Sequence, residues 1–137
     1  FINGSTEAVD LSINYFVVDG PPPSFQPLSP GYWKNHPCAW PVDSLTLGTK
    51  TYTKAELLKI MSMPKGGDAS LILAYQLIAA KLNLLSGADP TLIGPLVSDG
   101  DALLSKYAGK LPYKVKSSST VGTQMTAIGD ALSALWF

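Results

Sequence analysis

Residues 68–87 read Asp-Ala-Ser-Leu-Ile-Leu-Ala-Tyr-Gln-Leu-Ile-Ala-Ala-Lys-Leu-Asn-Leu-Leu-Ser-Gly, and this stretch decides the fold. Asp68 can accept a hydrogen bond from a free amide at the start of a helix, and Gly87 stands where a left-handed residue ends one. A helix is therefore expected from about Ala69 to Ser86. Its polar residues Ser70, Gln76, Lys81, Asn83 and Ser86 do not gather on one face, which places the helix at the centre, covered on most sides. The apolar run Leu71–Leu85 is broken by Gln76, Lys81 and Asn83 and falls short of the roughly 20 residues that a membrane span needs. It reads as a core helix.

Other helices flank it. Thr53 and Glu56 make a capping box ahead of Leu57, Leu58, Ile60 and Met61, and Pro64 with Gly66-Gly67 ends that segment. Asp89-Pro90 marks a further start, which Gly94-Pro95 is expected to interrupt before helix resumes around Asp101 to Tyr107. Near the C-terminus Val121, Met125, Ile128, Leu132, Leu135 and Trp136 form one apolar stripe opposite Thr123, Thr126, Asp130 and Ser133. Short strands are expected at Leu45–Leu47 and Thr51–Thr53, turning through Gly48-Thr49-Lys50, and at Tyr113–Lys116.

The N-terminus is different in kind. Val9, Leu11, Ile13 and Tyr15 alternate with Asp10, Ser12 and Asn14, which is the pattern of a strand with one buried face, and Phe16, Val17 and Val18 extend it. Asp19-Gly20 stops it. Pro21, Pro22, Pro23, Pro27 and Pro30 then favour a stiff, extended polyproline path. The expected organisation is a strand arm over residues 1–19, a proline-rich linker over 20–30 and a helical domain over 31–137. The fold class is mainly α: a compact helical domain with a small β-hairpin and an extended N-terminal strand arm.

Composition narrows the function. Of 137 residues, 46% are hydrophobic and 15% charged, so the chain folds rather than staying disordered. Ten acidic groups balance ten basic ones, all lysine, and without arginine to fork onto phosphate or guanine, nucleic acid is not an expected partner. The chain opens on Phe1 rather than methionine, which fits a removed export signal, and its low charge suits an extracellular or cell-surface protein. Pilins that begin with phenylalanine continue straight into a long apolar helix, whereas Asn3, Gly4, Ser5, Thr6 and Glu7 follow here; that class is excluded.

Residues 31–41, Gly-Tyr-Trp-Lys-Asn-His-Pro-Cys-Ala-Trp-Pro, hold two of the three tryptophans and the only histidine and cysteine. The segment resembles a poorly characterised module of bacterial secreted and surface proteins in which GYWKNHP-x-AWP leads into a threonine- and leucine-rich hairpin. Leu45-Thr46-Leu47-Gly48, Thr51 to Leu58, Gly66 to Leu71 and Gln76 to Asn83 fit that continuation. The resemblance covers Gly31 to about Ala88, leaves the arm outside, and implies an exported, structural protein with no assigned reaction.

Chemical sites are sparse. His36 and Cys38 lack a second histidine to complete a metal site, and the rigid Pro37 between them hinders a nucleophile and base pair. The expectation is that His36 bonds a backbone carbonyl or a buried polar group beside Trp33 and Trp40, and that Cys38 is a small buried hydrophobe, an intermolecular crosslink being the alternative. Tyr32, Trp33 and Trp40 read as core aromatics, with a sugar-stacking platform as the alternative. Asp99-Gly100-Asp101 begins like a calcium loop, but Leu103 and Lys110 stand where oxygen ligands belong, so a capped turn is expected. Asn3-Gly4-Ser5 is a formal glycosylation acceptor. No general base, nucleophile or phosphate-cradling loop emerges, so neither an enzyme nor a cofactor is expected.

The informative imbalance lies in the strands. A strand of about ten residues spans roughly 33 Å, about three times what the chain's other candidate strands offer it as a partner. An unblunted edge with one apolar face is a template for another chain. Val9, Leu11, Ile13, Tyr15, Phe16 and Val17 are therefore the expected intersubunit strand, donated to a second copy of the chain in a head-to-tail, pilus-like filament. The alternative is a monomeric surface module that binds carbohydrate or another ligand through Tyr32, Trp33 and Trp40.

Overall fold

In the computed structural model, which describes residues 26–136, the chain is mainly helical with one small hairpin. Helix α1 (Pro30–Asn35) runs into a 3₁₀ turn (Pro37–Ala39), followed by strands β1 (Ser44–Leu47) and β2 (Lys50–Thr53). Then come α2 (Lys54–Ser62), α3 (Ala69–Leu85), α4 (Pro90–Leu104) and α5 (Thr120–Ser133). No helix among the described residues is long and apolar enough to cross a membrane. The strand arm and most of the linker lie outside the described residues.

Helix α3 is the spine. Asp68 caps it, Gly87 follows its end with φ 106°, and α1, α2, α4, α5 and β1 all pack against it. Leu73, Ala74, Leu77, Ile78, Ala79, Ala80 and Leu82 are fully buried along its length. The polar residues that sit all round this helix each fasten a different segment. Ser70 Oγ accepts the Tyr113 amide, and Gln76 Oε1 accepts Trp136 Nε1 at 2.6 Å. Lys81 Nζ donates to Asp101 Oδ2 at 2.6 Å and to the Thr46 carbonyl. Asn83 takes Leu28 and Trp33. Scattered polarity on a buried helix thus serves as a set of separate clamps, each satisfying polar groups that would otherwise be buried unpaired.

The hairpin pairs Ser44 with Thr53 through to Leu47 with Lys50 across a two-residue turn. Gly48 has φ 65° at the first turn position, where a left-handed conformation favours glycine. Its amide donates to Asp101 Oδ1 at 2.8 Å, so the Lys81–Asp101 ion pair also holds the turn. Leu45, Leu47 and Tyr52 face the core while Ser44, Thr46 and Thr51 face water. Thr53 and Glu56 form the expected reciprocal capping box at the start of α2. Glu56 also pairs with Lys110 at 2.9 Å, and that contact holds its carboxyl below the usual range.

Three expectations are corrected. Gly94-Pro95 does not interrupt α4, which runs through it: Pro95 and Thr91 are both exposed, so the Thr91 carbonyl that loses its helical donor faces water, while Ile93, Gly100, Leu103 and Leu104 keep the helix on the core. Asp99-Gly100-Asp101 is accordingly helix, not a capped turn. Tyr113–Lys116 is not a strand; Lys114 has φ 55°, and a single antiparallel bridge joins Lys116 to Asp68. The Asp68 carboxylate accepts the amides of Lys114 and Val115 as well as that of Ser70, so the segment is tied down by a side chain rather than by a ladder.

Helix α5 packs on α3, with Gly129 against Ile72 and Gln76, while Gly122 at its start lies against the backbone of Lys116 and Ser117; Gly122, Met125, Gly129 and Leu132 are all buried. Met125 and Leu132, at the middle of the apolar stripe read from the sequence, are fully buried, and its other members pack half-buried on the core beside two buried glycines.

Beside Asp68, the Tyr113 ring stacks on Tyr107 at 5.0 Å, and burial, together with the nearby Tyr52 hydroxyl, pushes its phenol up to about 12. The folded state binds this proton more tightly than the unfolded chain, whose tyrosine titrates near 10.0. The resulting stabilisation is present in full below the unfolded value and is lost as pH rises through about 12. In an alkaline titration of tyrosinate absorbance, Tyr113→Phe should delete a step near pH 12. A titration that keeps its late step in this variant would assign that step to another tyrosine.

Candidate functional site

The residues the sequence marks as special gather where the chain enters the domain from its N-terminal side. Ser29 caps α1 by accepting the Tyr32 amide at 3.3 Å, and Pro30 occupies the first turn, where its missing N–H costs nothing. The boundary drawn at residue 30 therefore falls inside a helix. Leu28 is docked as well: its amide donates to Asn83 Oδ1 and its carbonyl accepts from Asn83 Nδ2, both at 2.8 Å. The Asn83 amide group thus imitates one rung of a β-ladder. Trp33 Nε1 adds a third bond to the carboxamide, the second on Oδ1, at 3.2 Å, and Asn83 is fully buried. A buried carboxamide has two donors and one oxygen with two lone pairs, and here the oxygen's capacity is used in full.

Trp33 and Trp40 complete the knot. Trp40 Nε1 donates to the Trp33 carbonyl at 2.7 Å, so both indole N–H groups are satisfied inside the core. Trp33 is 2% exposed and Trp40 8%, and the Lys54 ammonium lies 5.6 Å from the Trp40 ring centre. Tyr32 is half-buried, meets Trp33 edge-on at 5.4 Å and stacks on the His36 ring at 4.2 Å. Two of the three aromatics are core residues, and the third already has a ring against it. His36 Nδ1 donates to the Tyr32 carbonyl at 2.8 Å, the backbone-carbonyl role expected of it.

Cys38 departs from expectation. It is exposed, because the 3₁₀ turn between the anchors Trp33 and Trp40 buries none of its own residues. Among the described residues no group of three or more His, Cys, Asp or Glu side chains converges on a point that could hold a metal. The expected intersubunit residues Val9, Leu11, Ile13, Tyr15, Phe16 and Val17, and the glycosylation acceptor Asn3, lie outside the described residues.

Sequence reasoning missed Asn83, Leu28 and Ser29. Asn83 registers in the sequence as an interruption of an apolar run, and the usable signal was its depth in that run: an amide so placed must find partners on a non-helical segment. The arrangement holds Leu28 to the core through the Asn83 side chain, which also accepts the buried Trp33 indole N–H. Compared with family models, with curated proteins and with solved structures, the chain finds no match in any of the three.

Proposed function

We propose that the chain is the structural subunit of an extracellular, pilus-like filament, built head to tail by donation of the N-terminal strand to a neighbouring copy. The observation that carries this reading is a mismatch anchored at one point. The alternating sequence of Val9–Val18 predicts a long strand, the described residues contain no sheet beyond a hairpin of four-residue strands, and the chain is fastened to the core at Leu28. A firm root is what a connector between subunits needs, since any pull on the arm must reach the fold. The GYWKNHP-x-AWP resemblance supports an exported location. The ligand-binding alternative draws little from the site, because Trp33 and Trp40 are buried.

Removal of Phe1–Val18 tests the reading. The full chain should form regular threads by negative-stain microscopy, and the shortened chain should scatter light as a single copy with its helical circular dichroism intact. Within the full chain, Leu11→Asp with Ile13→Asp puts two charges on the apolar face and should lower the assembled fraction at least tenfold. Threads that persist without the arm would refute strand donation.

A further inference from the structure

Strand donation needs an acceptor, and the hairpin offers a definite one. In a hairpin closed by a two-residue turn, Leu47–Lys50 and Leu45–Tyr52 are the pairs that exchange backbone hydrogen bonds, so Ser44 and Thr46 turn their backbone groups outward. The Thr46 carbonyl is taken by Lys81 Nζ. The Ser44 amide and carbonyl and the Thr46 amide have no partner among the described residues. Beside this edge lies an open groove of about 350 Å³, floored by Leu45 and walled by Leu84, Leu85 and Val97. Leu85 is 54% exposed, one of two large apolar side chains left exposed among the described residues.

We infer that the outer edge of β1, with this groove, accepts the Val9–Val18 strand of a second copy of the chain. The inference rests on the strand-donation reading and names its acceptor. Three observations select the occupant. The first is the match of periodicity. β1 buries Leu45 and Leu47 and shows Ser44 and Thr46 to water. A strand added alongside would send Leu11, Ile13 and Tyr15 toward Leu84, Leu85 and Val97, and would leave Asp10, Ser12 and Asn14 beside Ser44 and Thr46 in solvent. The sheet would grow from two strands to three, the number at which a small sheet gains independent stability.

The second is direction. Successive residues of a helix are turned by about 100°, so Lys81, Leu84 and Leu85 share one side of α3 while Asn83, which holds Leu28, points to the other. The root of the arm and the acceptor thus lie on opposite sides of the same helix, which makes the contact heterologous, the class of contact from which open filaments are built. The third is reach. Residues 19–27 contain four prolines, and nine residues on a polyproline path advance about 28 Å. Leu85 is two residues from Asn83, about 3 Å along the helix axis. A polyproline path of that length would be long enough to carry the strand past its own groove to a neighbour's.

Isosteric cysteine pairs test the inference in the full chain. With Cys38→Ser to remove the native thiol, Ser44→Cys is combined in turn with Asp10→Cys, Ser12→Cys and Asn14→Cys, and each variant is oxidised as threads form. One of the three registers should give a ladder of covalent multimers at multiples of 14.5 kDa on a reducing-agent-free denaturing gel, at least tenfold above the Ser44→Cys control. A crosslink confined to single chains would overturn the inference, since the arm would then occupy its own groove. Threads that form without crosslinking in any register would place the acceptor elsewhere and leave strand donation standing; threads that survive loss of Phe1–Val18 would instead remove strand donation itself. Thr46→Pro, read against Thr46→Val as the control for loss of the exposed Thr46–Thr51 hydroxyl contact at 3.0 Å, gives an independent reading, because it deletes an outward amide and no β1–β2 backbone hydrogen bond. It should reduce assembly at least tenfold with an unchanged melting temperature, and undiminished threads in this variant would overturn the inference.

Discussion

Gly122→Ala should lower the melting temperature by about 10 °C or more, the effect of roughly 3 kcal/mol in a domain of this size. Gly122 lies in the first turn of α5, where its amide donates to the capping Ser119 Oγ at 3.0 Å. A Cβ added there would overlap the Lys116 carbonyl oxygen and lie 2.8 Å from its carbon and 2.9 Å from the Ser117 Cα. These are backbone atoms with no freedom to retreat. Lys116 is bridged to Asp68, and its carbonyl accepts both the Ser119 amide at 3.0 Å and the Ser119 hydroxyl at 2.6 Å. Relief would require undoing the cap of α5 or the strap over α3. Gly129→Ala, two turns further along the same helix, is the control: the nearest atoms, on Ile72 and Gln76, are 3.6–3.8 Å away, an ordinary contact. The better helix propensity of alanine should then raise stability by up to about 1 kcal/mol. The same substitution in one helix is thus expected to change sign between two sites, and thermal unfolding followed by circular dichroism measures both. Equal melting temperatures for the two variants would contradict the close approach of α5 to residues 116–117.

Asn83→Leu should destabilise the domain by about 3 kcal/mol, measured by denaturant unfolding. Leucine keeps the heavy-atom count and branching of asparagine and is bulkier, so a cavity is not the cause. The loss comes from the partners: the Trp33 indole N–H is left inside the core without an acceptor, and the amide and carbonyl of half-buried Leu28 lose theirs. A group stranded in this way costs roughly 1–3 kcal/mol, and the figure for Leu28 sits at the low end because water can reach it. Trp33→Phe removes the indole donor while keeping Asn83 on Leu28, so it should cost less than Asn83→Leu does. If Asn83→Leu changes stability by less than 1 kcal/mol, residues 28–30 are not held to the core as described.

The elements that were legible in the sequence are those whose signals are local. Asp68, Gly87 and the Thr53–Glu56 box mark helix ends through bonds to residues within a few positions, so their meaning does not depend on the rest of the fold. The hairpin at Gly48 belongs to the same group, although the sequence reading left Lys50 in the turn and the structure pairs it with Leu47. Where the reading went astray, a distant partner decided. Pro95 breaks helices on average, yet the core contacts of Ile93, Leu103 and Leu104 and a solvent-facing Thr91 let α4 continue. Tyr113–Lys116 has the composition of a strand, but Asp68 captures its amides from 46 and 47 residues away. Cys38 looks buried by type and is exposed by position, between two tryptophans that take the interior. At the site itself, the tryptophans and His36 stood out in the sequence, whereas the residue that organises them, Asn83, is legible only once Leu28 is known to lie beside it.

The bond between Leu28 and Asn83 also has a mechanical meaning. Force applied to residues 1–27 enters the fold at the far end of α3, the element against which all the other helices pack, rather than at a peripheral helix that could be peeled away. Helix α5 and the strap at 113–116 lie off that line of force. Under tension, the first bonds to part would be the two between Leu28 and the Asn83 side chain, and behind them the Trp33 indole still grips the same amide. The domain would therefore yield by releasing a few residues of chain before any of its core is exposed, in the manner of a fuse.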